Sequence, residues 1–166
     1  NVASWVKSRR IENFENVVFV DATEHFSSYE LVQRSKFVMI YNSTIGMEAT
    51  LMGVPVISGG KSRFTQIPIV FLPDSKQCFI DMVETFLEAK DLQIPDEFIV
   101  NVRKFLYTQL YRVSLTFDEF LEEDEIWNGY VKLKKFSWEL LLPKNSNVIN
   151  CIINGILKNQ PFEIDQ

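Results

Sequence analysis

The sequence is poor in the residues that build metal centres and disulfide frameworks. It contains one histidine, His25, and two cysteines, Cys78 and Cys151, which lie far apart in the chain. Zinc sites need three or four such ligands at short spacings, so no metal site is predicted. Two separated cysteines do not make the dense framework of a small secreted domain, and they favour a reducing, cytoplasmic setting.

Long apolar runs and an excess of basic residues are also absent. No run reaches the roughly 18 apolar residues of a membrane-spanning helix, and the chain does not open with a signal peptide. The formal net charge is −5, and no basic face that would bind nucleic acid is evident. The composition is globular, 46% hydrophobic over 166 residues, which is enough for one core. The chain begins Asn-Val-Ala-Ser, without methionine, and we interpret it as part of a longer protein.

The order of the apolar segments predicts a doubly wound α/β fold with a helical C-terminal region. Strands alternate with helices over short connections, which favours parallel strands and right-handed crossovers. We expect a single domain over 1–166, with the α/β core at about 1–73 and a mainly helical region at 74–166. Strands are predicted at 17–20, 37–41, 54–57 and 69–72, and helices at 27–34 (opened by a capping box of Ser27 and Glu30), at 46–52 and from about residues 74, 98, 126 and 148.

Three loops follow the predicted strands, where parallel sheets bind their ligands: residues 21–27, 42–46 and 58–66. The loop 42–46 joins a strand directly to a helix, whose free backbone N–H groups favour an anion such as phosphate. Ser43 and Thr44 add hydroxyl groups, although either could serve only as the helix N-cap.

Charged and polar residues near these loops are further candidates. Glu48, in the first turn of the helix, can accept hydrogen bonds from the diol of a ribose or sugar, or can simply interact with the helix dipole. His25 can act as a base or a phosphate partner, or can be an exposed loop residue. Lys61 and Arg63 can pair with a phosphate, or can be ordinary surface charges.

One continuous run resembles a known family. It reads Asn-Ser-Thr-Ile-Gly-Met-Glu-Ala over 42–49 and Gly-Val-Pro-Val-Ile over 53–57. This run resembles the C-terminal half of GT-B glycosyltransferases. It is most similar to the bacterial capsule polysaccharide biosynthesis family, which includes Kdo transferases that use CMP-sugar donors. The similarity covers about 17–66, and related runs occur in sugar-nucleotide epimerases of the same fold.

The resemblance implies a Rossmann-like parallel sheet that binds a nucleotide-sugar, CMP- or UDP-linked, with no metal or further cofactor. The enzyme would transfer the sugar to a surface polysaccharide or lipid-linked glycan at the inner face of the membrane. Acceptor contacts would come from an N-terminal domain that this chain lacks, so the chain alone is expected to be inactive. Catalytic roles fall to His25 and Glu48, and donor contacts to Asn42, Ser43, Thr44, Gly46, Glu48, Lys61 and Arg63.

Three further expectations remain open at this stage. In the family an aromatic residue often follows the glycine of the third-strand loop, and Phe64 would take that place. The first alternative function is a sugar-nucleotide epimerase of the same fold. The second is a non-catalytic interaction module, with a partner surface around Trp127, Tyr130, Trp138 and 140–142.

Overall fold

The computed structural model describes residues 2–21, 23–124, 126 and 129–164. Over these residues it is a mixed α/β structure with six α-helices and two small two-stranded sheets. The chain divides into two compact units, Asn1–Val102 and Arg103–Gln166. The first unit holds α1 (Val2–Ser8), α2 (Ser28–Gln33), β1 (Val38–Ile40), α3 (Ile45–Leu51), β2 (Val56–Ser58), α4 (Lys76–Glu88) and the start of α5 (Asp96–Tyr107).

The sheet of the first unit is parallel, as the alternation of strands and helices predicts. Met39 of β1 stands opposite Ile57 of β2, and on its other side Ile57 forms a single parallel bridge with Phe71. The predicted strands at 37–41 and 54–57 are therefore confirmed over three residues each. The predicted strand at 69–72 contributes only the bridge at Phe71.

Helix α3 is held by the glycine that follows its C-terminal end and by one buried threonine. Gly53 takes a left-handed conformation (φ 81°), which a residue without Cβ adopts freely, and it ends the helix as predicted. The Thr50 hydroxyl shares its proton between the carbonyl oxygens of Gly46 (3.0 Å) and Ile69 (3.2 Å). Because Ile69 lies beyond β2 in the sequence, this side chain ties α3 to the segment that carries the Phe71 bridge.

The strand predicted at 17–20 is wrong. The described residues provide no neighbouring strand for it, and Val18 is 86% exposed. A short apolar run forms a strand only where a partner takes up its backbone groups and a core covers its side chains. Immediately after this segment Asp21 accepts hydrogen bonds from the backbone N–H (3.1 Å) and the hydroxyl (2.9 Å) of Thr23, which turn the chain.

Helices α2 and α4 begin near the residues predicted from the sequence, but their N-caps differ from the expected ones. Helix α2 begins where it is predicted, yet Ser27 makes no side-chain cap bond, so the capping box with Glu30 does not form. Helix α4 is capped by Ser75, whose hydroxyl oxygen accepts from the backbone N–H of Cys78 at 3.1 Å. Helix α4 therefore begins two residues after the predicted start at about residue 74.

The second unit contains a β-hairpin where a helix is predicted. Its antiparallel strands are β3 (Leu121–Glu123) and β4 (Val131–Leu133), and a helix from about residue 126 is therefore wrong. Gly129 takes a left-handed conformation (φ 84°), which interrupts any helix at that point. Trp127, an expected part of a partner surface, lies outside the described residues. The predicted helix from about residue 148 is confirmed as α6 (Asn147–Lys158).

Candidate functional site

The loops that follow β1 and β2 pack against each other at the carboxyl ends of the parallel strands. The buried Ser58 hydroxyl shares its proton between the carbonyl oxygens of Tyr41 (2.9 Å) and Gly60 (2.8 Å). The backbone N–H of Gly59 donates to the carbonyl of Ile40 at 2.8 Å. These bonds hold two of the three predicted ligand loops together, at the edge where α/β sheets bind ligands.

Gly60 is required for this packing, and we expect Gly60→Ala to lower the free energy of unfolding by about 1–3 kcal/mol. An added Cβ would lie 2.9 Å from the carbonyl oxygen of Tyr41, which is backbone and cannot move aside without parting the loops. Gly59→Ala is the matched control, because its Cβ would meet nothing closer than Phe79 at 3.5 Å. Urea unfolding of both variants checks this, and equal stabilities would contradict it.

The loop 42–46 offers free polar side chains to solvent. Asn42, Ser43 and Thr44 are exposed, and within the described residues their side chains form no hydrogen bond, so neither hydroxyl caps α3. Gly46 is buried, and a Cβ there would overlap the Cδ1 atom of Ile40. The end of the Ile40 side chain therefore fills the space that a side chain at Gly46 would take, and Gly46 contributes in this way to the packing of α3 on β1.

Glu48 is half-buried and has a partner that the sequence reasoning missed. The hydroxyl of Tyr29, on α2, donates to Oε2 of Glu48 at 2.5 Å. This hydrogen bond to a carboxylate, and the negative charge itself, raise the pKa of the Tyr29 phenol above its ordinary value. Because the pKa is higher in the folded state, the bond stabilises the fold at neutral pH, and that contribution disappears as the pH rises through the raised pKa.

The remaining predicted residues lie in two loops, one before α2 and one after β2. His25, Lys61 and Arg63 are exposed, and among the described residues none of them forms an ion pair or a side-chain hydrogen bond. No hydrogen bond joins His25 to Glu48 in that part of the chain. Phe64 is 2% exposed, so its ring packs in the core and presents no face to a ligand.

A cavity of about 420 Å³ opens beside these loops. Its wall includes Gly59, Lys76 and the half-buried Phe79, together with Pro73, Asp74 and Ser75. The parallel bridge at Phe71 places residues 72–75 at the carboxyl edge as well. The predicted strand at 69–72 is the sequence signal for this position, because these residues follow it directly.

A second cavity, of about 470 Å³, runs along the outer edge of β1. Four consecutive residues, 37–40, line it, and since side chains alternate between faces, such a cavity must follow the strand edge. Leu31 of α2 and Ser43 close its sides, and none of its lining residues is charged. Ser43 is the only predicted site residue that lines either of these two cavities.

Comparisons with known proteins return nothing: no family model, no curated protein and no solved structure matches the chain. The described residues contain no helix with the length and apolar character needed to cross a bilayer. In the same residues, no three His, Cys, Asp or Glu side chains come together as a metal site. Any functional assignment therefore depends on the geometry of the carboxyl edge.

Proposed function

We propose that this chain is the donor-binding domain of a glycosyltransferase, a Rossmann-like domain that binds a nucleotide-sugar at the carboxyl edge of its parallel strands. One observation carries the proposal: a cavity large enough for a nucleoside opens at this edge, with a lysine and an aromatic ring in its wall. The run over 42–57, with its resemblance to GT-B donor domains, agrees with this location.

The chemistry of the edge suits a nucleotide-sugar. The Phe79 ring offers a surface for a base, and Gly59 leaves bare backbone next to that ring. Lys76 supplies a cation for phosphate, and the exposed Lys61 and Arg63 can add to it. Glu48 is the acceptor for a ribose or sugar diol, since a carboxylate accepts hydrogen bonds from hydroxyl groups but repels phosphate.

The Rossmann-like sheet is part of the same proposal, because the open edge of β1 can accept further parallel strands. The N–H of Val38 donates to the carbonyl of Pro55 (2.9 Å), and the carbonyl of Ile40 accepts from Gly59 (2.8 Å). The backbone N–H and C=O groups of Val38 and Ile40 therefore face β2. Because these groups alternate along a strand, those of Met39 point to the outer side, toward the second cavity. Within the described residues no strand occupies that side.

Calorimetric titration of the chain with CMP, UDP, GDP and ADP tests the proposal. We expect one nucleotide to bind and Lys76→Ala to weaken that binding roughly three- to tenfold, the loss of one solvent-exposed charged hydrogen bond. Lys90→Ala is the matched control, because Lys90 is an exposed lysine after α4 and outside the cavity.

The outcomes separate the candidate functions. Absence of binding to all four nucleotides would contradict the proposal and favour a non-catalytic interaction module. If Lys76→Ala and Lys90→Ala bind equally well, the nucleotide does not occupy this cavity. Free nucleotide together with an altered sugar, formed from a nucleotide-sugar without any acceptor, would identify a sugar-nucleotide epimerase instead.

A further inference from the structure

The bond between Tyr29 and Glu48 joins two helices that are distant in sequence. Helix α2 packs against α3, and the phenol hydroxyl meets Oε2 of Glu48 at 2.5 Å, across 19 positions of the chain. The other carboxylate oxygen, Oε1, has no hydrogen-bond partner among the described residues. One oxygen is therefore held by a directed donor, and the other remains free to accept.

Burial does not require this pairing. Tyr29 is 52% exposed, so water could satisfy its hydroxyl, and Glu48 is only half-buried. Although neither group needs this hydrogen bond to compensate for burial, the bond restricts the rotation of the flexible Glu48 carboxylate. A side chain that is already ordered loses less entropy when a ligand binds, which is the advantage of preorganisation.

We infer that Tyr29 is a positioning residue, which fixes the Glu48 carboxylate so that its free oxygen meets the diol of the bound nucleotide-sugar. This inference rests on the proposed function. It assigns Tyr29 no contact with the ligand and no part in bond breaking. It predicts a specific defect in diol recognition when the phenol hydroxyl is removed.

The test compares Tyr29→Phe with the wild-type chain on CMP, UDP, GDP and ADP, each against its 2′,3′-dideoxy analogue. The wild type should prefer the ribonucleotide, and Tyr29→Phe should reduce that preference roughly three- to tenfold while leaving the affinity for the dideoxy analogue unchanged. Tyr107→Phe, which removes an exposed phenol hydroxyl from α5, is the matched control.

Each result bears on the inference. A merely structural role for Tyr29 would weaken both nucleotides equally, and that result would overturn the inference, as would an unchanged preference in Tyr29→Phe. If the wild type prefers the ribonucleotide, the proposed function stands whatever Tyr29→Phe does. If the wild type binds neither nucleotide, the proposed function fails and the positioning role fails with it.

A ligand-independent measurement reports on the pair itself. Ultraviolet titration follows the phenol groups of the five tyrosines, and Glu48→Gln should return one of them from a raised pKa toward the ordinary value. The cause is the loss of the charged acceptor, because a neutral amide favours the ionised phenol more than a carboxylate does. Titration curves that coincide for wild type and Glu48→Gln would show that the pair is absent in solution and would overturn the inference.

Discussion

Replacing Ile57 by alanine is expected to lower the free energy of unfolding by about 2–5 kcal/mol, the usual range for truncating a fully buried isoleucine. Ile57 is 0% exposed and occupies the centre of the small parallel sheet. It pairs with Met39 on one side and forms the bridge to Phe71 on the other, so its truncation leaves a cavity in the interior of the sheet. Urea unfolding followed by circular dichroism measures the change.

Ile80→Ala is the matched control, because Ile80 lies on the exposed face of α4. Its truncation should change the free energy of unfolding by less than about 1 kcal/mol. If the two alanine variants are equally stable, β2 is not the centre of the core. The position of the candidate site would then also be in doubt, because the loop after β2 carries Gly59 and Gly60.

The strands at 38–40 and 56–58 could be predicted because each apolar run has its partner close by in the sequence. One helix joins them, and Gly53 marks its end. The run at 17–20 has the same composition but no partner among the described residues, and composition carries no information about pairing. The spacing of the apolar residues from 126 onward is compatible with a helix as well as with strands. The left-handed conformation of Gly129 is not compatible with a helix.

For the candidate site as well, local sequence patterns predict one part, and packing between distant segments determines the rest. The loops at 42–46 and 58–66 follow from strand order alone, and the Ser58 bonds bring them together. The Tyr29 bond to Glu48 depends on how two helices pack, which no local pattern reveals. In the sequence, Lys76 and Phe79 look like ordinary helical residues. Only the bridge at Phe71 shows that their helix begins at the carboxyl edge of the sheet.

Glu48→Gln is expected to weaken binding of the ribonucleotide roughly 10- to 100-fold, the range for a lost hydrogen bond to a charged group. Glutamine keeps the size of the side chain and one acceptor oxygen, so Tyr29 retains a partner and the packing of α3 is preserved. What disappears is the second, charged acceptor oxygen, because the amide NH2 group that takes its place is a donor, so the diol loses its hydrogen bond to a charged group. Calorimetric titration measures the change, with Glu84→Gln on α4 as the control for removing a charge.

The 2′,3′-dideoxy analogue decides whether Glu48 acts on the diol. It lacks the hydroxyl groups in question, so Glu48→Gln should leave its affinity unchanged. Lys76→Ala should weaken both nucleotides, since Lys76 is assigned to phosphate. If one ligand contacts both residues and the two contacts are independent, the two losses of affinity multiply in the double variant. If Lys76→Ala leaves the affinity for both nucleotides unchanged, Lys76 and Glu48 do not hold the same molecule.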